Sequence, residues 1–209
     1  MRKFFFLFVA AGLSLTSCVS NPEGDKAETT EAQQAPAETT GAAFTVNPQE
    51  STLSWEGKKV SATHHGTISI KSGNLVMDGD KLTGGEFIVD MNSIVNEDQQ
   101  GEWKEKLVGH LKSEDFFHVE KHPEAIFQIT EVKATDNPNQ VVVSGNLTIK
   151  GISKNITFNA DVVENSANKV QMKADFNIER EQWGITYTGM ADDLISKEIN
   201  FKVNIVANS

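Results

Sequence analysis

The sequence predicts an all-β fold, an eight-stranded antiparallel up-and-down barrel with a helical lid segment between strands three and four. Three observations carry this reading. Apolar and polar residues alternate at period two along most of the chain, turn residues separate those stretches at hairpin distances, and one segment alone has convincing helical spacing.

The strands are expected at 52–60, 66–77, 81–91, 124–133, 140–150, 153–163, 169–179 and 198–207. In 141–149, Val141, Val143, Leu147 and Ile149 share one face, with Ser144, Asn146 and Thr148 opposite. The same pattern runs through Ile156, Phe158, Ala160 and Val162, then Val170, Met172, Ala174, Phe176 and Ile178, then Ile199, Phe201, Val203 and Ile205. Opposite these lie Asp175, Asn177, Asn200 and Lys202 among others, a face expected to meet water. One-sided alternation indicates antiparallel pairing, because buried parallel strands read as continuous apolar runs. Asp78-Gly79-Asp80, Lys150-Gly151 and Asn165-Ser166-Ala167-Asn168 supply the hairpin turns. The helix is expected over 98–112, where Trp103, Leu107 and Leu111 recur at i, i+4 and i+8. With Phe116 and Phe117 they form an apolar strip suited to lie across one mouth of the barrel.

Period two does not say whether the apolar face points in or out. An outer-membrane barrel would turn it toward lipid and need aromatic girdles. The chain has one Tyr and three Trp, scattered along it, so the apolar face is expected inside. The interior is then either packed or holds one small ligand.

The first residues read as an export signal. Arg2 and Lys3 precede an apolar run from Phe4 to Leu15, too short to span a bilayer. Residues 1–17 are therefore expected to be a lipoprotein signal peptide. Leu15-Thr16-Ser17-Cys18 has the pattern that ends in a lipid-modified cysteine, and Cys18 is the expected attachment site. It is the chain's single cysteine, which leaves no thiol for a disulfide, nucleophile or thiolate metal site. Residues 18–43 hold one aliphatic side chain larger than alanine and read as a flexible, lipid-anchored tether with a reach of about 25–30 Å. The barrel domain is expected over 44–209. It carries 16 basic and 24 acidic residues, within a chain of net charge −10, which argues against nucleic acid as a partner. The expected location is a bacterial cell envelope, periplasmic or outer-membrane associated.

The stretch "HLKSEDFFHVEKHP", residues 110–123, raises a metal site as an alternative. His118 and His122 have the spacing of a helical metal pair, but Pro123 biases His122 toward extended backbone. His110 lies beyond an expected break at Ser113, so no metal ligands are assigned. No serine-nucleophile elbow, phosphate-binding loop or dinucleotide fingerprint occurs. No catalytic residue and no cofactor is assigned, and the chain is read as a binding protein.

The same stretch, extended to "HLKSEDFFHVEKHPEAIF", resembles the YceI-like family. "GDKLTGGEFIVDMNSI", "VSGNLTIKGISKNITF" and "FNIEREQWGI" match it in order, across nearly all of 44–209. Two positions depart from the family's pattern: Trp183 stands where Phe is usual, and His118 where Asp is usual. The resemblance implies a lipocalin-like barrel with an elongated apolar cavity for a polyisoprenoid, an isoprenoid quinone or a related lipid, and a possible homodimer. With the inward faces it nominates Leu53, Trp55, Ile68, Ile70, Phe87, Phe127, Ile129, Leu147, Ile149, Phe158, Phe176, Ile178 and Phe201 as ligand-lining residues, and Phe116 and Phe117 from the lid. Each is equally suited to packing a filled core. Lys59, His64 and Arg180, with Lys58 and His65 nearby, are candidate contacts for a polar head group; for Arg180 the alternative is a pairing with Glu179 or Asp192. A packed barrel acting through its outer surface, as an envelope stress or interaction module without ligand, is the alternative function.

Overall fold

The computed structural model describes residues 19–36 and 39–209; the expected signal peptide and Cys18 lie outside the described residues. Two short strands, β1 (Asp25–Lys26) and β2 (Glu28–Glu31), precede β3 (Ala42–Val46), β4 (Thr52–Lys59), β5 (Thr63–Asp78) and β6 (Lys81–Asn96). The helix α1 (Gly101–Lys112) follows, then β7 (Glu124–Ala134), β8 (Gln140–Ile149), β9 (Ile152–Asn165) and β10 (Lys169–Glu179). A 3₁₀ turn (Arg180–Trp183) and β11 (Gly189–Met190) lead into β12 (Asp193–Asn208).

From β5 to β10 each strand pairs antiparallel with the next, β10 pairs with β12, and β12 closes onto β4 and β3. The result is a closed eight-strand antiparallel barrel in which β3 and β4 together make one stave. The hairpins follow from their turn residues. Lys150 and Gly151 both have positive φ, 53° and 76°, the twist-matching geometry for a two-residue loop between Ile149 and Ile152.

The apolar faces point inward, as alternation and the absence of aromatic girdles suggested. Phe44, Val46, Ile70, Leu75, Val143, Val170 and Ile205 are buried around the end nearest the β5–β6 turn. Trp55, Ile94, Leu111, Phe116, Ile156, Trp183 and Ile185 are buried around the opposite end. Burying a large aliphatic or aromatic side chain contributes about 1.5–3 kcal/mol, so these two clusters hold the fold without a disulfide.

Several elements differ from expectation. β3 was not foreseen. β5 is 16 residues long, more than β4 can pair with, and Ala42–Thr45 take up its far half at Asn74–Met77. Pro48, which lacks an N–H, lies in the break between the two pieces. The last strand starts earlier, at Asp193, with a register shift between Ile195 and Ile199.

The largest correction concerns the expected flexible tether. β9 and β10 pair directly only over Ala160–Asn165 and Val170–Ala174, then part company. Residues 25–31 fill the gap, running parallel to Phe176–Asn177 and antiparallel to Lys154–Thr157. Ala27 is buried there and its amide donates to the Asn177 carbonyl at 2.9 Å. Beyond the strand, Asn177 Nδ2 donates to the Pro22 carbonyl at 3.0 Å and Ser196 Oγ to Asn21 Oδ1 at 2.9 Å. Composition missed this because backbone hydrogen bonds to two open strand edges hold the segment, and one small residue, Ala27, suffices to fit it. The strap also buries Asn177 and Asn200, which alternation had assigned to water; Asn200 Nδ2 donates to Asn177 Oδ1 at 2.9 Å beneath it.

Candidate ligand-binding site

The site begins with the phenylalanines that alternation places on inward faces. Phe87 on β6, Phe127 on β7, Phe158 on β9, Phe176 on β10 and Phe201 on β12 form a belt around the barrel's waist. Successive ring centroids lie 6.3, 5.7, 4.2 and 6.2 Å apart. On β8, Gly145 leaves the space into which the Phe127 ring reaches; a Cβ there would also lie 2.8 Å from the Gln128 carbonyl oxygen. Offset and tilted aromatic pairs of this kind contribute about 0.5–1.5 kcal/mol beyond the area they bury.

Inside the belt is a chamber of about 150 Å³, with Leu53, Ile70, Ile129, Val143, Ile149 and Ile156 among its walls and Lys173 as the one charged exception. A second chamber of about 240 Å³ lies toward the α1 end, and Ile68, Phe117 and Phe201 border both. Together they reach the lower part of the roughly 300–1,000 Å³ usual for small-molecule pockets. All the nominated lining residues border one chamber or the other, Ile178 excepted. Ile178 is fully buried with Trp183 and Ile185, below the 3₁₀ turn.

The outer chamber has a mixed lining. Leu107, His110 and Leu111 come from α1, Phe116 and Phe117 from the segment after it, and Tyr187 and Met190 from the loop between the 3₁₀ turn and β12. The His110 ring stands edge-on to Phe116 at 4.9 Å and to Tyr187 at 4.7 Å, which brings an imidazole and a phenol to the mouth. The sequence marks His110 only as a possible metal ligand, and Tyr187 and Met190 lie in a stretch without alternation that gives no signal.

The lid differs from the expected strip at Trp103, which is exposed with Lys106 Nζ 5.0 Å from its ring centroid. Residues spaced by four advance around a helix by about 40° per step, so Trp103 stands about 80° from Leu111. Leu111 faces the barrel and Trp103 has turned away.

The candidate head-group contacts are engaged elsewhere. Arg180 is buried, and neither Glu179 nor Asp192 pairs with it. Nε donates to the Ser196 carbonyl at 2.8 Å, Nη1 to Ile185 at 2.6 Å and Nη2 to Ile195 at 3.4 Å. Gly184, at φ 69°, ends the 3₁₀ turn that folds Arg180 inward, and Trp183 beside it donates from Nε1 to the Leu147 carbonyl at 2.9 Å. The "REQWG" stretch is thus a structural plug at one side of the mouth, and burial pulls the guanidinium pKa down from its ordinary value. Lys59 pairs with Asp193 at 2.6 Å, and His64 Nδ1 with Asp98 at 2.8 Å. Burial works to raise the Asp98 pKa, but hydrogen bonds from His64, the His65 amide and Asn96 outweigh it and hold the carboxyl below the ordinary aspartate value.

His118, at φ 47°, and His122 come together across a turn, ring centroids 5.9 Å apart. Burial first, then Lys121, His118 and Lys150, lower the His122 pKa from 6.5, which favours a neutral ring. Among the described residues no third potential ligand joins the pair. No helix among them is long and apolar enough to cross a membrane.

Comparison with known proteins agrees with this geometry. Residues 44–207 match the YceI-like domain. The chain belongs to the YceI-like family. A UPF0312 protein of Photorhabdus laumondii is 32% identical over 98 residues, 46% of this chain and 43% of that protein. One from Pseudomonas aeruginosa is 44% identical over 54 residues, 26% of this chain and 27% of its own. The chain thus matches less than half the length of these curated relatives. Among solved structures, Burkholderia cenocepacia BcnA superposes with TM-score 0.65 at 20% identity, covering 78% of this chain and 99% of BcnA. A polyisoprenoid binding domain from Saccharophagus degradans, implicated in plant cell wall breakdown, gives TM-score 0.62 at 15% identity, covering 79% and 98%. At these identities the likeness establishes the shared fold.

Proposed function

We propose that this YceI-like chain is an exported, lipid-anchored binding protein that encloses a polyisoprenoid, an isoprenoid quinone or a similar long apolar chain. The observation that carries the reading is the inner chamber, walled by aliphatic and aromatic side chains and continuous in its lining with an outer chamber that opens under α1. Enclosure of each CH₂ contributes about 0.8 kcal/mol, and a chamber walled by aliphatic and aromatic side chains, with Lys173 its single charged neighbour, favours hydrocarbon. The Saccharophagus degradans domain, of the same fold and described as polyisoprenoid binding, supports this ligand class. The polar end of the ligand rests in the outer chamber, where His110 and Tyr187 stand, because Arg180, Lys59 and His64 already have partners within the chain. Cys18, preceded by Leu15-Thr16-Ser17, carries the anchor, and the protein resides in the bacterial envelope on the periplasmic side of a membrane.

The test is native mass spectrometry of the mature protein from a bacterial envelope, with extraction of any bound lipid. A stoichiometric adduct of isoprenoid or quinone mass is expected. Ala160→Phe, which places a ring in the inner chamber, is expected to abolish the adduct while the protein stays folded. A bare protein that also takes up no added isoprenoid would count against the reading.

A further inference from the structure

We propose that the rim of the outer chamber is a membrane-docking surface that seats the open end of the barrel on a lipid bilayer. The inference deepens the lipid-anchored reading and rests on it in one respect, the direction from which the chain arrives.

The first observation is where apolar surface is left exposed. Of the exposed large apolar side chains among the described residues, Val60, Val95, Trp103, Ile152, Tyr187 and Met190 all sit on the end that carries α1. Val163 alone lies toward the other end. The most prominent are Trp103, 69% exposed, and Met190, 66% exposed. They belong to different elements gathered around one opening. Val60 tops the β4–β5 turn, whose amide donates to the Leu194 carbonyl at 3.0 Å. Met190 pairs across to Asp193 and itself lines the outer chamber. Trp103 stands one helical turn before Leu107, another chamber residue. A Trp and a Tyr at the edge of an apolar surface is the composition of a lipid–water interface.

The second observation is independent of the first. The N-terminal strap reaches the barrel at this same end: Asn21 accepts a hydrogen bond from Ser196, which lines the outer chamber. Cys18 is three residues before Asn21, a span of at most about 10 Å. An anchor on Cys18 therefore holds the opening at the bilayer and cannot let the domain float clear of it. Had the strap not been built into the wall, the whole of 18–43 would have served as tether.

Charge decides the kind of lipid. Lys58 and Lys59 at the opening are offset by Glu56 and Asp193, and on α1 Glu102 and Glu105 balance Lys104 and Lys106, so among the described residues the rim gathers no net positive charge toward anionic head groups. The apolar side chains enter a neutral, zwitterionic bilayer, and salt leaves the docking unchanged. Seated so, the outer chamber faces the acyl layer, and an apolar ligand passes between them without crossing water.

The experiment uses the intrinsic tryptophans, because Trp55 and Trp183 are buried. The full chain is expressed in a bacterium so that its leader can be processed, then reconstituted in phosphatidylcholine vesicles with or without brominated acyl chains. Bromine is expected to quench part of the emission, and Trp103→Phe to remove the quenchable part. Met190→Asp is expected to cut the quenching by about half, and 0.5 M-scale salt to leave it unchanged. Emission untouched by bromine on vesicle-bound protein overturns the proposal, and so does a chain that stays off the vesicles. A dimer in solution that Trp103→Asp splits, with no quenching by lipid, overturns it in favour of a second copy at the rim. The mass of the peptide beginning at Cys18 tests the anchor separately. An acylated Cys18 with unquenched Trp103 leaves the anchor standing without the docked rim; an unmodified Cys18 with quenched Trp103 leaves the rim without the anchor.

Discussion

Replacing Arg180 separates a structural role from a ligand-binding one. The side chain bridges three carbonyls, of Ser196, Ile185 and Ile195, at 2.8, 2.6 and 3.4 Å. Hydrogen bonds that involve a charged partner contribute about 1.5–3 kcal/mol each, so the two short ones are worth about 3–6 kcal/mol gross. Part of that returns on substitution, because Arg180→Met also removes a buried cation that has no carboxylate partner. The net expectation is a loss of about 3 kcal/mol. For a domain of this size one kcal/mol moves Tm by about 2–4 °C, so Tm falls by about 6–12 °C. Arg180→Lys is expected to lose nearly as much, since an ammonium cannot reach three divergent carbonyls from one point. The assay is urea unfolding followed by tryptophan emission, with midpoint and slope fitted together. A variant within about 0.5 kcal/mol of the parent, yet unable to take up isoprenoid, would refute this account and restore Arg180 as a head-group contact.

Gly66→Ala drives a Cβ into the Val95 carbonyl, a backbone atom that also accepts from Trp55 Nε1; a loss above about 2 kcal/mol in the same unfolding assay is expected. Ala27→Asp puts a carboxylate where the strap is buried, and hydrogen exchange at the amides of residues 27–31 is expected to speed up while the β5–β6 amides stay protected. Asp98 has its pKa depressed below 3.8 in the folded state, so its contribution is present above pH 3.8 and is lost as pH falls through the lower folded value. Asp98→Asn is therefore expected to cost about 1 kcal/mol at neutral pH and to flatten the acid limb of a stability–pH curve below about pH 4.

How far the sequence disclosed this site depends on which face a residue occupies. Phe87, Phe127, Phe158, Phe176 and Phe201 were legible because period two ties face to position, and the side chains that wall the inner chamber are the ones that alternation turns inward. Where alternation gives way, so did the reading. Asn177 and Asn200 sit on the outer face yet are buried, because a segment distant in sequence lies over them. Phe44 and Val46 alternate about Thr45 and could have disclosed β3, had the strand length needed by β5 been weighed. Tyr187 and Met190 reach the mouth from a loop whose path is fixed by Arg180 and Gly184, neither of which announces burial from its type.

The hollow at the centre needs a physical reason, because a barrel of eight strands can fill its own interior with side chains. The belt of phenylalanines supplies one. Each ring is flat and stiff, and leans on a ring from another strand, with centroids as close as 4.2 Å between Phe158 and Phe176. A ring stacked on its neighbour in this way is held in that orientation and is not free to swing further across the barrel. Gly145 strengthens the effect: on β8, where a side chain would project inward, there is none, and the Phe127 ring lies over that backbone instead. On the side of the belt away from α1 the walls carry Val143, Ala160 and Ala174, which are too short to meet across the barrel. Mutually stacked rings and short inward residues on the same walls leave an apolar core that is not closed. The loss of dispersion contacts around an empty apolar space is what a bound hydrocarbon chain would restore. Ligand capacity is in this sense a property of which inward positions hold rings and which hold alanine or glycine, more than of how apolar the interior is.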